Sequence, residues 1–148
     1  MKNVIPWEKK QIEEGVEFFK FYLSIEKNTQ QKRIDKRATS PLVYWKISEN
    51  DLKMLDKWDA FTLYKEQMFK RTSYDEAPWI VLNANNKKVA ILSALRFILN
   101  AFDYPDKDLP KPKTWSEGLN NYKVEINKVL FENLSYQQYK TLRVFADE

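Results

Sequence analysis

The amino-acid sequence predicts an α/β fold that is mostly helical by residue count and has parallel strands. Stretches with helical spacing of apolar residues alternate with short stretches of strand spacing, and such alternation is typical of parallel sheets. The chain has 148 residues, of which 43% are hydrophobic, so it can form one domain with a substantial core.

The N-terminal segment predicts a helix followed by a strand. Residues 7–15 (WEKKQIEEG) are typical of a short helix, and Gly15 ends it because glycine readily adopts the left-handed conformation found after helices. Residues 17–25 (EFFKFYLSI) alternate apolar with polar side chains, which is the periodicity of a strand. Bulky side chains on both sides indicate that both faces of this strand are partly covered.

Two helices are predicted next. The first spans residues 28–38, is polar and basic, and ends before Pro41. Ser48 and Asp51 then fit a capping box that opens a long helix running to about Arg71. Apolar residues at helical spacing predict a buried stripe along this long helix. They are Leu52, Leu55, Trp58, Phe61, Met68 and Phe69.

A second strand and a further helix are predicted in the second half of the chain. Residues 79–82 (WIVL) are typical of a buried strand, and either Asn85 or Asn86 is expected to cap the helix after it. Three prolines in residues 103–113 predict a linker. The spacing of apolar residues within 124–134 predicts a helical tail. Two strands alone make a poor sheet, because isolated pairs are marginal in water.

Residue counts exclude whole classes of chemistry. The chain has no cysteine and no histidine, which excludes disulfides, thiolate metal sites and mechanisms that depend on a histidine base. Its two glycines, Gly15 and Gly118, lie far apart, so it cannot form a Walker-type phosphate loop or a dinucleotide-binding fingerprint. No apolar run approaches the roughly 18 residues of a membrane span. We expect a cytoplasmic protein with no membrane partner.

A basic segment is the first candidate binding site. Lys32, Arg33, Lys36 and Arg37 crowd one side of two helical turns and could neutralise a polyphosphate or a nucleic-acid backbone. The alternative is an ordinary solvated helix face, which composition alone favours. No residue is predicted to be catalytic or to bind a metal.

Three lysines near predicted helix starts are further candidates, because N–H groups at a helix start favour anions. Lys46 could hold a phosphate there, and the alternative is an exposed lysine beside a buried Trp45. Lys87 and Lys88 open a helix directly after a strand, which is a common place for ligands in α/β sheets. Solvation of the helix start is the alternative reading for this pair.

Several motifs occur together between residues 45 and 96. They follow the patterns W-K-x-S-x-x-D-L, W-D-x-[YF], M-F-x-x-T-[ST], A-P-W-x-V and K-K, with a final arginine on the last helix. The matching residues are Trp45, Lys46, Ser48, Asp51, Trp58, Asp59, Phe61, Met68, Phe69, Thr72, Ser73, Ala77, Pro78, Trp79, Lys87, Lys88 and Arg96, and upstream Gly15, Lys20, Leu23, Ser24, Gln30, Arg33 and Arg37. On these residues the chain resembles the C-terminal, lid-containing portion of the polyphosphate kinase 2 family over residues 6–104.

This resemblance implies the architecture and the activity. It implies a partial P-loop-kinase-like parallel sheet with a helical lid over about residues 26–75, all within residues 1–104, and a linker and helical tail over 105–148. Family members transfer a phosphoryl group between inorganic polyphosphate and a nucleoside mono- or diphosphate, with Mg²⁺. Such chemistry consists mainly of positioning and charge neutralisation.

The resemblance also implies which residues contact phosphate. Arg33, Arg37 and Lys46 would be the phosphate-facing cations of the lid, and Lys87 and Lys88 would follow the second strand. The family's glycine-rich loop and second acidic motif lie N-terminal to the matching region, so we expect the chain to start after both. The Mg²⁺ ligands are then expected outside this chain.

Two hypotheses follow from the sequence. The first is a C-terminal fragment of a polyphosphate:nucleotide phosphotransferase, inactive alone, which an N-terminal half or a homologous subunit could complete. The second is a non-catalytic, decayed relative that acts as a binding or regulatory module. Val89 and Ile91 favour it, because they stand where the family pattern K-K-R-A-R has arginines. A nucleic-acid partner is disfavoured.

Overall fold

The computed structural model describes residues 3–107 and 122–146, with the backbone alone for residues 145 and 146. Its helices are α1 (Val4–Glu13), α2 (Lys27–Ala38), α3 (Glu49–Lys53), α4 (Trp58–Thr72), α5 (Lys87–Ala101) and α6 (Tyr136–Ala146), with a 3-10 turn at Tyr44–Lys46. Its strands are β1 (Lys20–Ser24), β2 (Trp79–Asn83), β3 (Tyr122–Ile126) and β4 (Val129–Leu134). The chain divides into two compact units: residues 25–71, called the helical unit here, and residues 1–24 with 72–148, called the sheet unit.

The sheet unit contains one four-stranded sheet in the order β1-β2-β4-β3. Strands β1, β2 and β4 are parallel, and β3 pairs with β4 in the antiparallel direction. The predicted α/β class with parallel strands is confirmed. The sheet has two more strands than the sequence predicts, and β4 pairs with β2, so residues beyond 104 contribute to the sheet.

Strand β2 forms the centre of the core. Ile80 and Leu82 are 1% and 0% exposed, and Ala77 and Ala84 on either side of the strand are also buried. Strands β1 and β4 pair with the two edges of β2, and α5 packs against β2 and β4. A continuous apolar run is what a parallel strand covered on both faces requires. The predicted strand at 79–82 is confirmed.

The residues that the sequence predicts at the end of α1 and at the start of α5 have these roles in the structure. Gly15 has a φ of 90°, its N–H donates to the Ile12 carbonyl at 2.9 Å, and the Val16 N–H donates to the Gln11 carbonyl at 3.0 Å. This pair of hydrogen bonds is a Schellman motif, which satisfies carbonyls at the end of α1. Of the two asparagines predicted to cap α5, Asn86 does so, accepting from two backbone N–H groups of the first turn.

The long helix predicted from Ser48 to about Arg71 is two helices. The capping box that opens α3 is present, but α3 ends at Lys53 and residues 54–57 form a turn before α4. Leu52 is 57% exposed, so the predicted stripe does not form one buried face. Helical spacing alone cannot distinguish one helix from two helices whose apolar residues share a period.

The helical tail predicted within residues 124–134 is wrong, because this segment is the β3–β4 hairpin. The turn residues Asn127 and Lys128 have φ angles of 51° and 63°, as in the type I′ turn whose twist matches paired strands. Val124 and Ile126 are two residues apart, which is a strand spacing rather than a helical one. Most of the linker predicted over 103–113 lies outside the described residues.

Candidate functional site

The cations of α2 fall into two environments. Arg33 and Arg37 lie four residues apart on one side of the helix and are both half-buried, whereas Lys32 and Lys36 are exposed. Ile34, which is 5% exposed, lies next to the arginine side of the helix. The four cations that the sequence groups together therefore form two pairs, and the arginine pair is the one that is partly covered by the rest of the protein.

Lys46 ends the 3-10 turn that packs against α2 within the helical unit. Its Nζ atom lies 5.0 Å from the centre of the Trp45 ring, a distance at which ammonium and aromatic face attract. The Trp45 indole donates to the Leu42 carbonyl at 3.1 Å, yet the residue is 68% exposed. The burial of Trp45 that the alternative expects is therefore wrong, whereas the exposed Lys46 that it expects is observed.

The start of α3 is already occupied by a carboxylate. The Asp51 Oδ2 atom accepts from the Ser48 backbone N–H and hydroxyl, each at 3.0 Å, and the Ser48 Oγ atom accepts from the Asp51 N–H at 3.2 Å. The Arg37 Nη1 atom lies 3.7 Å from the same Oδ2 atom. The backbone and side chain of Ser48, and to a smaller extent Arg37, hold the pKa of Asp51 below its ordinary value of 3.8. A negative charge therefore already lies at the start of α3, beside Arg37.

Lys87 and Lys88 are the first two residues of α5 and are both exposed, and three residues separate Lys87 from the carboxyl end of β2. They belong to the sheet unit, whereas Arg33, Arg37 and Lys46 belong to the helical unit. Each group is thus assembled within its own unit. Exposure and the position after a parallel strand leave both lysines accessible to an anionic ligand.

A buried charge network in the sheet unit was not predicted from the sequence. The Lys20 ammonium lies 2.9 Å from the Glu8 carboxylate and donates to the Thr72 carbonyl at 2.6 Å. The side chains of Lys20 and Glu8 are each 8% exposed. The Tyr74 hydroxyl donates to the same Glu8 oxygen at 2.9 Å, and the Lys20 ammonium lies 4.6 Å from the centre of the Tyr74 ring.

Burial and the hydrogen bond to Glu8 raise the pKa of Tyr74 to about 12 from its ordinary value of 10.0. Every charged group of this network has partners inside the protein, so it holds α1, β1 and the segment before β2 together. The one signal in the sequence was the lysine within the strand pattern of residues 17–25, but its partner at position 8 is not readable from spacing.

Several residues of the tryptophan-containing motifs also have structural partners. The Trp79 indole donates to the Thr72 hydroxyl at 2.9 Å, and the Trp79 N–H donates to the Ser73 hydroxyl at 2.9 Å. Ser73 in turn donates to the Lys128 carbonyl at 2.6 Å. These contacts join the beginning of β2 to the β3–β4 turn, so this part of the motif stabilises the sheet unit.

An open cavity of about 430 Å³ lies between α5 and the β3–β4 hairpin. It is lined by Ser93, Arg96, Phe97, Asn100, Ala101, Lys123, Glu132 and Asn133. The Lys123 ammonium and the Glu132 carboxylate inside it are 2.8 Å apart. Arg96, the last residue of the motif pattern, therefore borders a cavity that contains one internal ion pair.

The described residues contain no group of side chains suited to binding a divalent metal. Within residues 3–107 and 122–146 no three carboxylates or other metal-binding side chains lie close enough together to hold an ion. Mg²⁺ prefers several oxygen ligands, with carboxylates and phosphates among them, so the described residues do not fit a protein-built Mg²⁺ site. In the same part of the chain no helix is long and apolar enough to cross a bilayer.

Comparison with known proteins identifies relatives over most of the chain. The model of the family described as polyphosphate kinase 2 (PPK2) matches residues 1–110. Polyphosphate kinase PPK2B of Corynebacterium glutamicum is 40% identical over 109 residues, which cover 70% of this chain and 36% of that protein. GDP-polyphosphate phosphotransferase of Pseudomonas aeruginosa is 43% identical over 94 residues, which cover 64% of this chain and 26% of that protein.

A solved structure agrees with these relatives. The crystal structure of polyphosphate kinase 2 from Arthrobacter aurescens TC1 superposes with a TM-score of 0.66 at 31% identity, covering 76% of this chain and 40% of that one. The chain thus spans about a third of the length of the curated relatives it matches. The hairpin and α6 lie beyond the residues that the family model matches.

Proposed function

Because the chain belongs to the polyphosphate kinase 2 family, we propose that it is the C-terminal, polyanion-binding part of a polyphosphate:nucleotide phosphotransferase. Inorganic polyphosphate and a nucleotide are its ligands in this proposal, and the cytoplasm is its compartment. The residues that bind their phosphates are Arg33, Arg37, Lys46, Lys87 and Lys88.

One observation carries the proposal: Arg33 and Arg37 lie on one half-buried side of α2, and the turn with Lys46 packs against that helix. Guanidinium groups bind phosphate oxygens through two parallel hydrogen bonds, and partial burial limits the entropy lost when they bind. Polyphosphate carries one negative charge along each unit of its chain, so several neighbouring cations in one unit suit it better than a single site.

We further propose that the 148 residues transfer no phosphoryl group by themselves. They contain two glycines far apart in sequence, and the described residues offer no cluster of carboxylates for Mg²⁺. When bound, Mg²⁺ neutralises charge on the phosphates. The glycine-rich loop and the Mg²⁺ ligands would come from another segment or subunit, and this chain's cations would bind and orient the polyanion.

The second candidate function is a non-catalytic binding or regulatory module. Ile91 supports it, because this apolar residue is 59% exposed where the family pattern has an arginine. The two candidates differ in one measurable outcome. If the first is right, mixing this chain with an N-terminal half that carries the glycine-rich loop, in the presence of polyphosphate, Mg²⁺ and GDP or ADP, yields nucleoside triphosphate. The regulatory module binds its partner and yields none.

Polyphosphate binding is tested by isothermal titration calorimetry of the whole chain at several salt concentrations. We expect the double variant Arg33→Gln/Arg37→Gln to bind at least about tenfold more weakly than the wild type, because two charge-assisted hydrogen bonds are lost. The matched control is Lys32→Gln/Lys36→Gln, which removes the same charge from the exposed side of the same helix. Equal losses in the two variants, or binding that does not weaken with salt, would contradict the assignment.

A further inference from the structure

One carboxylate of the helical unit connects two of the proposed phosphate ligands. Asp51 binds Ser48 through the capping box, and Ser48 lies two residues after Lys46. The same Asp51 oxygen lies 3.7 Å from Arg37, which is in the last turn of α2. The segment from 38 to 47 is therefore held at both of its ends by one side chain.

The geometry leaves Arg37 able to bind a ligand. A separation of 3.7 Å exceeds the 2.7–2.9 Å typical of a direct charge-assisted hydrogen bond, so Asp51 attracts the guanidinium without enclosing it. A guanidinium has five N–H donors in a planar fork, and one contact to Asp51 occupies one edge of it. The side chains of Arg37 and Asp51 are 34% and 29% exposed, so a polyanion can reach this pair from solvent.

The charge of Asp51 also has a cost, because a carboxylate repels a polyanion. If Asp51 served only to cap α3, an asparagine would do so as well, since its carbonyl oxygen also accepts from the Ser48 N–H. Such a chain would carry one negative charge fewer beside the proposed binding site. The charge of Asp51 also interacts favourably with the start of α3, and it lies 3.7 Å from the Arg37 guanidinium.

We propose that Asp51 is a positioning residue, which orients the Arg37 guanidinium and fixes the turn that carries Lys46 so that both cations contact one phosphate chain. This role rests on the proposed function. Holding an arginine side chain in one orientation before binding removes part of the entropy that binding would otherwise cost. In this proposal, the favourable contribution to the binding free energy from orienting Arg37 exceeds the repulsion between the Asp51 carboxylate and the polyanion.

The test compares two variants that remove the same charge from the first turn of α3. Asp51→Asn keeps an acceptor for the cap and is expected to bind polyphosphate about threefold to fivefold more weakly than the wild type. Glu49→Gln removes the carboxylate that pairs with Lys53, and its binding should stay equal or become tighter. Asp51→Glu should retain binding, because glutamate also completes a capping box.

A second measurement follows the interaction between Asp51 and Arg37 directly. We expect the carboxyl pKa of Asp51, followed by NMR, to rise in Arg37→Gln and to stay unchanged in Lys53→Gln. Polyphosphate binding that is equal or tighter in Asp51→Asn would overturn the role of Asp51 and leave the proposed function intact. Absence of binding by the wild type would overturn the proposed function, and the positioning role would fail with it.

Discussion

One ion pair in each compact unit shows two different uses of charge. In the sheet unit, Glu8 and Lys20 are each 8% exposed, 2.9 Å apart, and hydrogen-bonded to further partners. In the helical unit, Arg37 and Asp51 are about a third exposed and 3.7 Å apart. The first pair is buried among partners inside the protein, whereas the second is open to solvent. Burial and distance, more than residue type, thus indicate which charges stabilise the fold and which are available for binding.

The largest effect that tests this comparison is expected for Lys20→Met. The substitution leaves the Glu8 carboxylate buried without its cation, and breaking a buried pair in this way typically costs about 3–5 kcal/mol. Lys128→Met is the matched control, because the Lys128 ammonium pairs with Asp75 at the surface, 2.9 Å away, and such exposed pairs contribute about 0–1 kcal/mol. Urea denaturation of both variants measures the difference, and equal losses would show that the buried pair has no special role.

The next effect concerns Tyr74 and alkaline pH. Its pKa is raised to about 12 in the folded protein from an ordinary 10.0, so folding favours the protonated hydroxyl. This stabilisation is fully present below pH 10 and is lost as the pH rises towards 12. Tyr74→Phe should be less stable at neutral pH by about 1.5–3 kcal/mol, since a buried hydrogen bond to a charged acceptor is removed. Because phenylalanine has no hydroxyl to ionise, the variant should also lose less stability than the wild type as the pH rises from 10 towards 12.

Denaturation curves at pH 8 and at pH 11 separate these two expectations. If the stability difference between wild type and Tyr74→Phe is the same at both pH values, the raised pKa is not linked to folding. Tyr64→Phe is a suitable control, because Tyr64 is 66% exposed in the helical unit.

A smaller effect is expected for Ser48→Ala in the helical unit. The substitution removes the side-chain acceptor of the Asp51 N–H, and loss of such a cap costs about 1 kcal/mol. Because α3 has five residues, the loss should appear locally, as faster hydrogen exchange at the Asp51 amide. Ser93→Ala, a change on α5 in the other unit, should leave that exchange rate unaltered; acceleration by both would indicate global rather than local loosening.

The smallest effect is the acid dependence of Asp51. Its pKa lies below the ordinary 3.8, because Ser48 and Arg37 favour the ionised form. The associated stabilisation is present above pH 3.8 and is lost as the pH falls through the lower native pKa. An NMR titration should show this low value in the wild type and a higher one in Ser48→Ala. The backbone N–H of residue 48, the larger cause of the low pKa, remains in this variant, so an unchanged titration would show that the Ser48 hydroxyl does not contribute to it.

The fold and the candidate site were predictable wherever a signal lies within a few residues. The end of α1 at Gly15, the Ser48–Asp51 box and the cap at Asn86 depend on backbone conformations and hydrogen bonds between near neighbours, which is why these predictions are confirmed. The hairpin was missed because the apolar residues from Ile126 to Leu134 also have helical spacing, and because the turn at Asn127 and Lys128 carries no glycine. The binding roles of Arg33, Arg37, Lys46, Lys87 and Lys88 stay predictions.

By itself, the sequence determined the family, the parallel α/β class, the absence of a clustered-glycine phosphate loop, and the positions of the basic residues. Only the tertiary structure decided that β4 enters the sheet beside β2, that Lys20 meets Glu8 and Tyr74, and that Asp51 lies beside Arg37. These contacts join residues 12 to 54 positions apart. Their formation depends on how whole elements pack, because local spacing restricts the backbone of a segment but leaves open which distant segment covers it.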